Sequence, residues 1–265
     1  MDKLPVSVVI LTKNEEENIA NCINSVLGWA DEIIVVDDES TDRTRDIAKD
    51  LGAKVFVRRM DIEGRQRNWA YQQAKNDWVL SLDADERVSK ELKREIEKIV
   101  VKKNCEFTNF TVNLRNYIGN YWIRGGGWYP APKVRLFLKD KCRYEEAEVH
   151  PRIISKGKCG RINADLLHYS YKGWEDFLNS LNKQTSLEAL KWYKLSLKDP
   201  KKARYKMNVI HALWRMLDRF IRIFFVKKGY RDGFIGFIVA YFASLYQILS
   251  YAKYRNLTKS FEKKV

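Results

Sequence analysis

The first 82 residues alternate between short apolar runs and stretches whose apolar residues recur at helical spacing, and this alternation restricts the fold more than any other feature. The apolar runs are Val6–Leu11, Ile33–Val36, Lys54–Val57 and Trp78–Leu82. The helices predicted between them are Glu15–Leu27, Thr41–Leu51 and Arg65–Lys75. This order of elements predicts an α/β domain with a Rossmann-like, mostly parallel sheet. Ligands of such sheets bind at the carboxyl ends of the strands.

The net charge of +15 is concentrated at one end of the chain. Hydrophobic residues make up 45% of the 265, which is enough for a buried core and excludes a disordered polyelectrolyte. Residues 201–265 hold 15 Lys and Arg against three acids, so residues 1–200 carry only +3. The basic residues accompany a long uncharged apolar run, which suits a lipid surface better than a phosphate backbone. We therefore expect no nucleic-acid partner.

Acidic and polar residues follow three of the predicted strands, at Thr12–Glu16, Asp37–Asp42 and Asp83–Glu86. Asp83 and Asp85 come directly after an apolar run, and two carboxylates this close repel each other unless they share a cation. Hard divalent cations prefer such oxygen ligands, so the Asp-x-Asp pattern predicts a metal site. Ser40, Thr41 and Asp42 are explained equally well as helix N-caps and as ligand contacts.

Three motifs stand in order along the first third to half of the chain: VSVVILTKNEEENIANCINSV, EIIVVDDESTDRT and GRQRNWAYQQAKNDWVLSLDADE. Together they resemble family 2 glycosyltransferases of the GT-A fold. Three later stretches, extending to about residue 190, are YWIRGGGWYPAPKVRLFLKD, RYEEAEVHPRI and LLHYSYKGWEDFLNSLNKQTSLEA. These resemble the bacterial subgroup that adds glucose or heptose to lipopolysaccharide core or to related glycans.

The resemblance implies an inverting transfer of a sugar from a nucleotide-sugar, often a UDP-sugar, to an acceptor hydroxyl. It also implies the residues of the donor site. The nucleotide pocket is lined by Thr12, Asn14 and Glu15, with Asp37 or Asp38 on the base or ribose and Arg67 and Asn68 near the nucleotide. By the same resemblance, Asp83 would face the ribose and the metal, and Asp85 would hold Mg²⁺ or Mn²⁺ on the diphosphate. A metal at this point stabilises the negative charge that develops on the leaving group.

The general base is less clearly marked in the sequence. Many relatives have Val-His-Glu where this chain has Val149, His150 and Pro151. Glu148 and His150 share one face of a strand by its period of two, so Glu148 is a candidate base and His150 a metal ligand or orienting group. Alternatively, His150 packs in the core and the glutamates lie on a solvated edge. His168 is more readily explained by packing than by catalysis.

The acceptor side has one candidate segment. Gly125, Gly126 and Gly127 precede Trp128 and Tyr129 and resemble the acceptor-side loop, in which an aromatic ring stacks on a sugar. A plain turn would have the same sequence. A rival class is a catalytically degenerate GT-A protein that acts as a scaffold, but the intact Asp-x-Asp pattern argues against it.

The C-terminal segment predicts attachment to a membrane surface. Apolar residues recur at helical spacing from Ile210 to Phe225, and residues 233–252 contain no charged side chain. Basic residues on both sides of that run favour a helical hairpin lying in the interface over a single span. Alternatively, both helices pack on the catalytic domain or form a dimer interface. We assign residues 1–198 to a GT-A catalytic domain and residues 199–265 to this extension.

The expected location is the cytoplasmic face of the cell membrane, with peripheral or monotopic attachment. The N-terminus runs directly into a strand and shows no secretory signal, and the four cysteines are widely spaced, as is typical of reduced thiols. The expected partners are a nucleotide-sugar donor, a lipid-linked or envelope glycan acceptor and the anionic membrane surface.

Overall fold

A computed structural model describes residues 3–102, 105–146, 152–201 and 207–262. The chain divides into two compact units. The α/β unit comprises Met1–Arg115 and Ala131–Tyr169, and the helical unit comprises Asn116–Pro130 and Ser170–Val265.

The strands and helices follow the predicted alternation through the first four strands. The strands are β1 (Leu4–Thr12), β2 (Ala30–Asp37), β3 (Lys54–Val57), β4 (Trp78–Asp83), β5 (Glu86–Val88), β6 (Phe107–Ile118), β7 (Tyr121–Trp122), β8 (Pro132–Leu138), β9 (Cys142–Tyr144), β10 (Ile153–Ser155) and β11 (Lys158–Tyr171). The helices are α1 (Ile19–Asn24), α2 (Thr44–Asp50), α3 (Glu63–Gln72), α4 (Lys90–Val100), α5 (Trp174–Lys198), α6 (Val209–Ile221) and α7 (Gly233–Glu262). A π-helical turn, Arg222–Val226, extends α6, and a 3₁₀ turn, Gly229–Asp232, precedes α7.

The centre of the main sheet is the predicted parallel core. Its strand order is β3-β2-β1-β4-β8-β6-β11-β5, and β1 pairs in parallel with both β2 and β4. Val8 and Val9 on β1 are both fully buried, in separate apolar clusters, because the strand is covered on both faces. Thr12 of β1 is in register with Asp37 of β2, and Leu11 with Asp83 of β4. The polar residues that follow these strands therefore meet at one edge of the sheet.

Antiparallel strands extend the sheet beyond β4, which makes it a mixed sheet. Strand β8 pairs antiparallel with β4. Its Arg135 is buried and follows the half-buried Val134 and precedes the buried Leu136 and Phe137 along the strand. Strand β11 pairs antiparallel with β5 and places His168 opposite Glu86. These two strands thus bring a basic residue and a histidine from distant parts of the chain to the loop that follows β4.

The helical unit is built from α5, α6 and α7. Phe177 on α5 packs against Phe242 on α7, and Trp192 on α5 packs against Tyr254 on α7. Helix α5 therefore belongs to the same compact unit as the C-terminal helices, whereas the boundary proposed from the sequence assigned it to the catalytic domain. Gly125 is required in this unit, because a Cβ at that position would overlap with the carbonyl oxygen of Lys228.

Candidate functional site

A cavity of about 350 Å³ lies at the carboxyl edge of the parallel strands, in the α/β unit. Its wall is formed by the loop after β1, the ends of β2 and β4, the first turns of α3, and one residue of β11. The lining residues are Leu11, Thr12, Lys13, Glu15, Val36, Asp38, Met60, Glu63, Gln66, Arg67, Asp83, Ala84, Asp85 and His168. The cavity therefore lies where an α/β sheet of this topology binds ligands.

Asp83 is held between two arginines. Its Oδ1 accepts a hydrogen bond from Arg67 at 2.9 Å, and its Oδ2 accepts one from Arg135 at 2.7 Å. Burial opposes ionisation of Asp83, but the two guanidinium groups outweigh it and hold the pKa of this carboxyl well below its usual range. Arg135 also donates to Glu86, whose other oxygen accepts the backbone N–H of Asp83 at 3.0 Å. Both oxygens of Asp83 are thus already paired.

Asp85 faces a different partner. Its Oδ2 lies 3.1 Å from Nε2 of His168, and both residues line the cavity. Burial alone would lower the pKa of His168, but the hydrogen bond to Asp85 and the nearby carboxylates raise it. A backbone hydrogen bond also joins the two segments that carry this pair, since the N–H of Tyr169 donates to the carbonyl oxygen of Asp85 at 2.9 Å.

The wall of the cavity formed by the ends of β1 and β2 contains Thr12 and Asp38. The carboxyl of Asp38 accepts from Lys13 Nζ and from the backbone N–H of Met60, both at 2.7 Å. Burial raises the pKa of Asp38, but these hydrogen bonds outweigh it and keep the carboxyl ionised. The Thr12 hydroxyl is buried and has no hydrogen-bond partner among the described residues. With Nη1 of Arg67, it is one of two buried polar atoms of the lining residues that have no partner in the described part of the chain.

Three predicted contacts, Asp37, Asn14 and Asn68, are not among the residues that line the cavity. Asp37 is fully buried and its carboxyl accepts from the N–H and hydroxyl of Ser40. Asn14 accepts the N–H of Thr41 at 2.8 Å, and its own N–H donates to Ser40. Asn68 forms two bonds to the backbone of Tyr144.

Of the alternatives left open by the sequence, the geometry brings Asp38, and not Asp37, to the cavity. Ser40 and Thr41 bind the loop after β1, and α2 begins only at Thr44, so neither caps that helix.

Glu148 and His150 lie outside the described residues, so their assignment as base and orienting group stays a prediction. Glu146, the nearest described residue on that side, is exposed and pairs with Arg65. Trp128 and Tyr129 lie in the helical unit. Trp128 packs against Tyr171 and Phe177, and Tyr129 contacts the ring of Trp122 edge to face.

Three residues of the site received no role there from the sequence: Arg135, Glu86 and His168. Arg135 stands in an otherwise apolar strand, and a charged residue in a buried strand must be paired, which is the signal that points to it. Its partner is distant along the chain, so the pairing itself is invisible in the sequence. His168 was attributed to packing, yet the ladder between β5 and β11 places it on the cavity wall.

The donor set fits a divalent cation that completes its coordination with a ligand's phosphates. Asp85 and His168 present an oxygen and a nitrogen donor on the cavity wall, while Asp83 is occupied by arginines. Within the described ranges, no three His, Cys, Asp or Glu side chains converge as a complete metal cage. Mg²⁺ commonly binds through one or two carboxylates together with substrate phosphates, so an incomplete protein set is compatible with such a site.

The sheet order, the cavity at its carboxyl edge and the acidic loop after β4 agree with the GT-A fold that the sequence resemblance implies. Residues 7–156 match the profile described as Glycosyl transferase family 2. An uncharacterised glycosyltransferase of Rickettsia typhi is 34% identical over 96% of this chain and 87% of its own length. The chain therefore belongs to glycosyl transferase family 2.

Two further proteins are similar to it. The lipopolysaccharide core biosynthesis glycosyltransferase LpsC of Rhizobium meliloti is 29% identical over 95% of this chain and 92% of its own length. A crystal structure of glucosyl-3-phosphoglycerate synthase from Mycobacterium tuberculosis, with Mn²⁺, UDP and glucosyl-3-phosphoglycerate, is 24% identical, with a TM-score of 0.36 over 42% of this chain and 44% of that one.

Proposed function

We propose that this enzyme is a metal-dependent inverting glycosyltransferase that transfers a sugar from a UDP-sugar to a hydroxyl of a lipid-linked or envelope glycan. The observation that carries this proposal is the convergence of Thr12, Asp38, Asp85 and His168 on one cavity at the carboxyl edge of the sheet. The name of the Rhizobium meliloti relative supports an envelope glycan as acceptor.

Donor binding is assigned to the wall of the cavity formed by the ends of β1 and β2. Asp38 is an ionised acceptor for ribose hydroxyls or for the N–H groups of the base, and Lys13 holds it in position. The unpaired hydroxyl of Thr12 supplies a further hydrogen bond to the nucleotide. Glu15 lines the same wall.

Departure of the diphosphate requires compensation of its charge. A bound Mg²⁺ or Mn²⁺ would be held by Asp85 and His168 and would neutralise the charge that develops on the leaving group. Arg67 lies on the cavity wall and has a buried Nη1 without a partner among the described residues. We assign this nitrogen a hydrogen bond to the donor's phosphate oxygens.

The acceptor hydroxyl must lose its proton as it attacks the anomeric carbon. Glu148 is the proposed base, with His150 orienting it, and Trp128 and Tyr129 are proposed to contact the acceptor. With a lipid-linked acceptor, we assign the reaction to the cytoplasmic face of the membrane. Attachment of the enzyme to that face raises the effective concentration of enzyme and acceptor relative to each other.

Thermal stability of the detergent-solubilised protein tests the donor and metal assignments together. Unfolding is followed with UDP-, GDP-, ADP- and CMP-sugars, with and without Mn²⁺, for the wild type, Asp85→Ala and the exposed-surface control Asp50→Ala. A ligand at a hundredfold excess over its Kd stabilises the native state by about 2.7 kcal/mol. We expect a shift with UDP-sugars that requires metal, disappears in Asp85→Ala and persists in Asp50→Ala.

A metal-dependent shift with another nucleotide class would correct the donor while retaining the site. A shift that is unchanged in Asp85→Ala would overturn the metal assignment. If folded protein responds to no donor and transfers no sugar, the chain is a scaffold on a GT-A fold.

A further inference from the structure

Helix α6 and its π-helical extension expose an apolar stripe. The side chains on this stripe recur at intervals of three and four residues and are exposed: Ile210 (74%), Leu213, Trp214 (59%), Leu217 (58%), Ile221 and Phe225. Val226 continues it, and Phe234, Phe237 and Tyr241 expose further apolar surface on α7. Exposed apolar surface of this extent marks an interaction face.

The opposite face of α6 is turned inward although it carries charge. Ala212 and Ile223 are buried there, and the guanidinium of Arg215 lies 4.6 Å from the ring centroid of Trp192 on α5. Arg219 is exposed and borders a cavity of the helical unit. The helix therefore buries part of one arginine, Arg215, against an aromatic ring while its leucines, isoleucines and tryptophan are exposed, which is not the arrangement that water selects.

The surface around the stripe is basic. From Met207 to Lys259 the chain carries nine Lys and Arg against two acids. Asp232 is buried, where it accepts the N–H groups of Arg124 and Gly125, and Asp218 is paired with Arg222. Lys227, Lys228 and Arg231 are exposed. An apolar stripe bordered by exposed cations matches acyl chains bordered by anionic headgroups.

Helix α7 is long and apolar enough to cross a membrane, and within the described residues the segment Gly229–Lys259 alone meets that criterion. Helix α5, however, packs beside it over much of that length. Phe242, Lys253 and Tyr254 of α7 contact Phe177, Thr185 and Trp192 of α5. Lys183, Glu188 and Lys191 belong to the same stretch of α5. A spanning α7 would take these charges into hydrocarbon, where ionisable side chains are strongly disfavoured.

We infer that the helical unit docks on an anionic bilayer in the plane of the interface, with the stripe Ile210–Phe225 inserted and α7 not spanning. This inference rests on the proposed action at the membrane and deepens it, because it names the inserting face and the lipid chemistry. The exposed cations Lys227, Lys228 and Arg231 contact the headgroups.

Vesicle co-sedimentation of the full-length protein tests the inference. The vesicles are equimolar phosphatidylglycerol and phosphatidylcholine, or phosphatidylcholine alone, at low and at high salt. Leu217→Glu and Ile210→Glu place a charge on the stripe, and Val101→Glu places one on an equally exposed apolar residue of the α/β unit. We expect binding to the anionic vesicles at low salt, a partition coefficient lowered about tenfold or more by each stripe variant, and no change in Val101→Glu.

Equal binding of the stripe variants and the wild type would overturn the inference. The inference would also be overturned if the wild type and the stripe variants were all recovered in the membrane fraction after alkaline carbonate extraction, because that result indicates a spanning α7. A dimer in solution that Leu217→Glu dissociates, without vesicle binding by the wild type, would show that a second copy covers the stripe. The thermal shift with donor is measured on the same variants. If stripe variants that no longer bind vesicles keep the thermal shift with donor, the catalytic proposal stands although docking has failed. If the wild type binds vesicles but shows no thermal shift with donor, only the catalytic proposal is overturned.

Discussion

Replacement of Arg135 by Met tests whether the carboxylates after β4 depend on a buried cation. Arg135 is 2% exposed and donates to both Asp83 and Glu86. Met has a similar length and fills the same apolar strand, so the change removes mainly the charge. Asp83 retains Arg67, whereas Glu86 is left buried with only the backbone N–H of Asp83 as its partner.

The expected cost follows from this loss of partners. Removing one member of a buried ion pair destabilises a protein by about 3–5 kcal/mol, because the remaining charge is uncompensated. For a chain of this size, each kcal/mol lowers Tm by about 2–4 °C, so the expected decrease is roughly 6–20 °C. Glu86→Gln in the Arg135→Met background removes the uncompensated charge and keeps an acceptor for the N–H. We expect the double variant to recover at least about 2 kcal/mol relative to additivity.

Urea and thermal unfolding, followed by far-UV circular dichroism, measure the four corners of this cycle. Arg161→Met, an exposed arginine on β11, is the control and is expected to change stability by no more than about 0.5 kcal/mol. The Kd for the nucleotide-sugar is measured on the variants that remain folded, and we expect weaker binding because Asp83 is less well held. A loss of less than about 1 kcal/mol in Arg135→Met, or additive effects in the cycle, would refute the reasoning.

Three further substitutions follow from the geometry. Thr12→Val removes a buried hydroxyl that has no protein partner among the described residues, so the stability of the fold is expected to be unaffected. Calorimetry is expected to show donor binding weakened about three- to tenfold. Unchanged affinity would contradict a nucleotide contact. Asp83→Asn is expected to lower the free energy of unfolding in urea by about 3 kcal/mol or more, whereas Asp85→Asn is expected to lower it by under about 1 kcal/mol. Equal losses would show that the two carboxylates are not differently paired. Gly125→Ala is expected to destabilise the protein by about 1–3 kcal/mol in thermal melts because its Cβ meets a backbone carbonyl. Gly173→Ala, which has open space but stands at the N-cap of α5, is expected to cost under about 1 kcal/mol, and similar melting of both would remove the packing argument.

The parallel half of the sheet could be predicted from the sequence because its information is local. Strand β3 has its predicted bounds, and β1 extends the predicted Val6–Leu11 by two residues at the start and one at the end. Helix α1 covers only Ile19–Asn24 of the predicted Glu15–Leu27. The residues before it hold the start of α2, since Glu15 N–H donates to Thr44 Oγ1. Apolar periodicity cannot show such a contact, because it arises between a loop and a helix start that meet only in the folded domain.

The antiparallel half of the sheet could not be predicted in the same way. Strand β8 reaches β4, and β11 reaches β5, across long intervals of sequence, and no local signal states these pairings. The roles of Asp83 and Asp85 depend on them. Both carboxylates were expected to hold the metal, but β8 supplies Arg135 to Asp83 and β11 supplies His168 to Asp85. The two residues of one short motif therefore acquire different partners from different strands.

The C-terminal helices show a related limit of sequence patterns. Helical spacing from Ile210 to Phe225 establishes that α6 has an apolar face, but a face that packs on a protein core and one that meets lipid have the same periodicity. Burial separates the two cases, because in the folded helical unit Ala212 and Ile223 face inward while Trp214 and Leu217 face outward. Arg215 lies on the inward face, where its guanidinium is 4.6 Å from the ring centroid of Trp192 on α5, and this contact would be lost if the helix turned that face outward. The exposed apolar residues of α6 are thus left for a partner outside the helical unit.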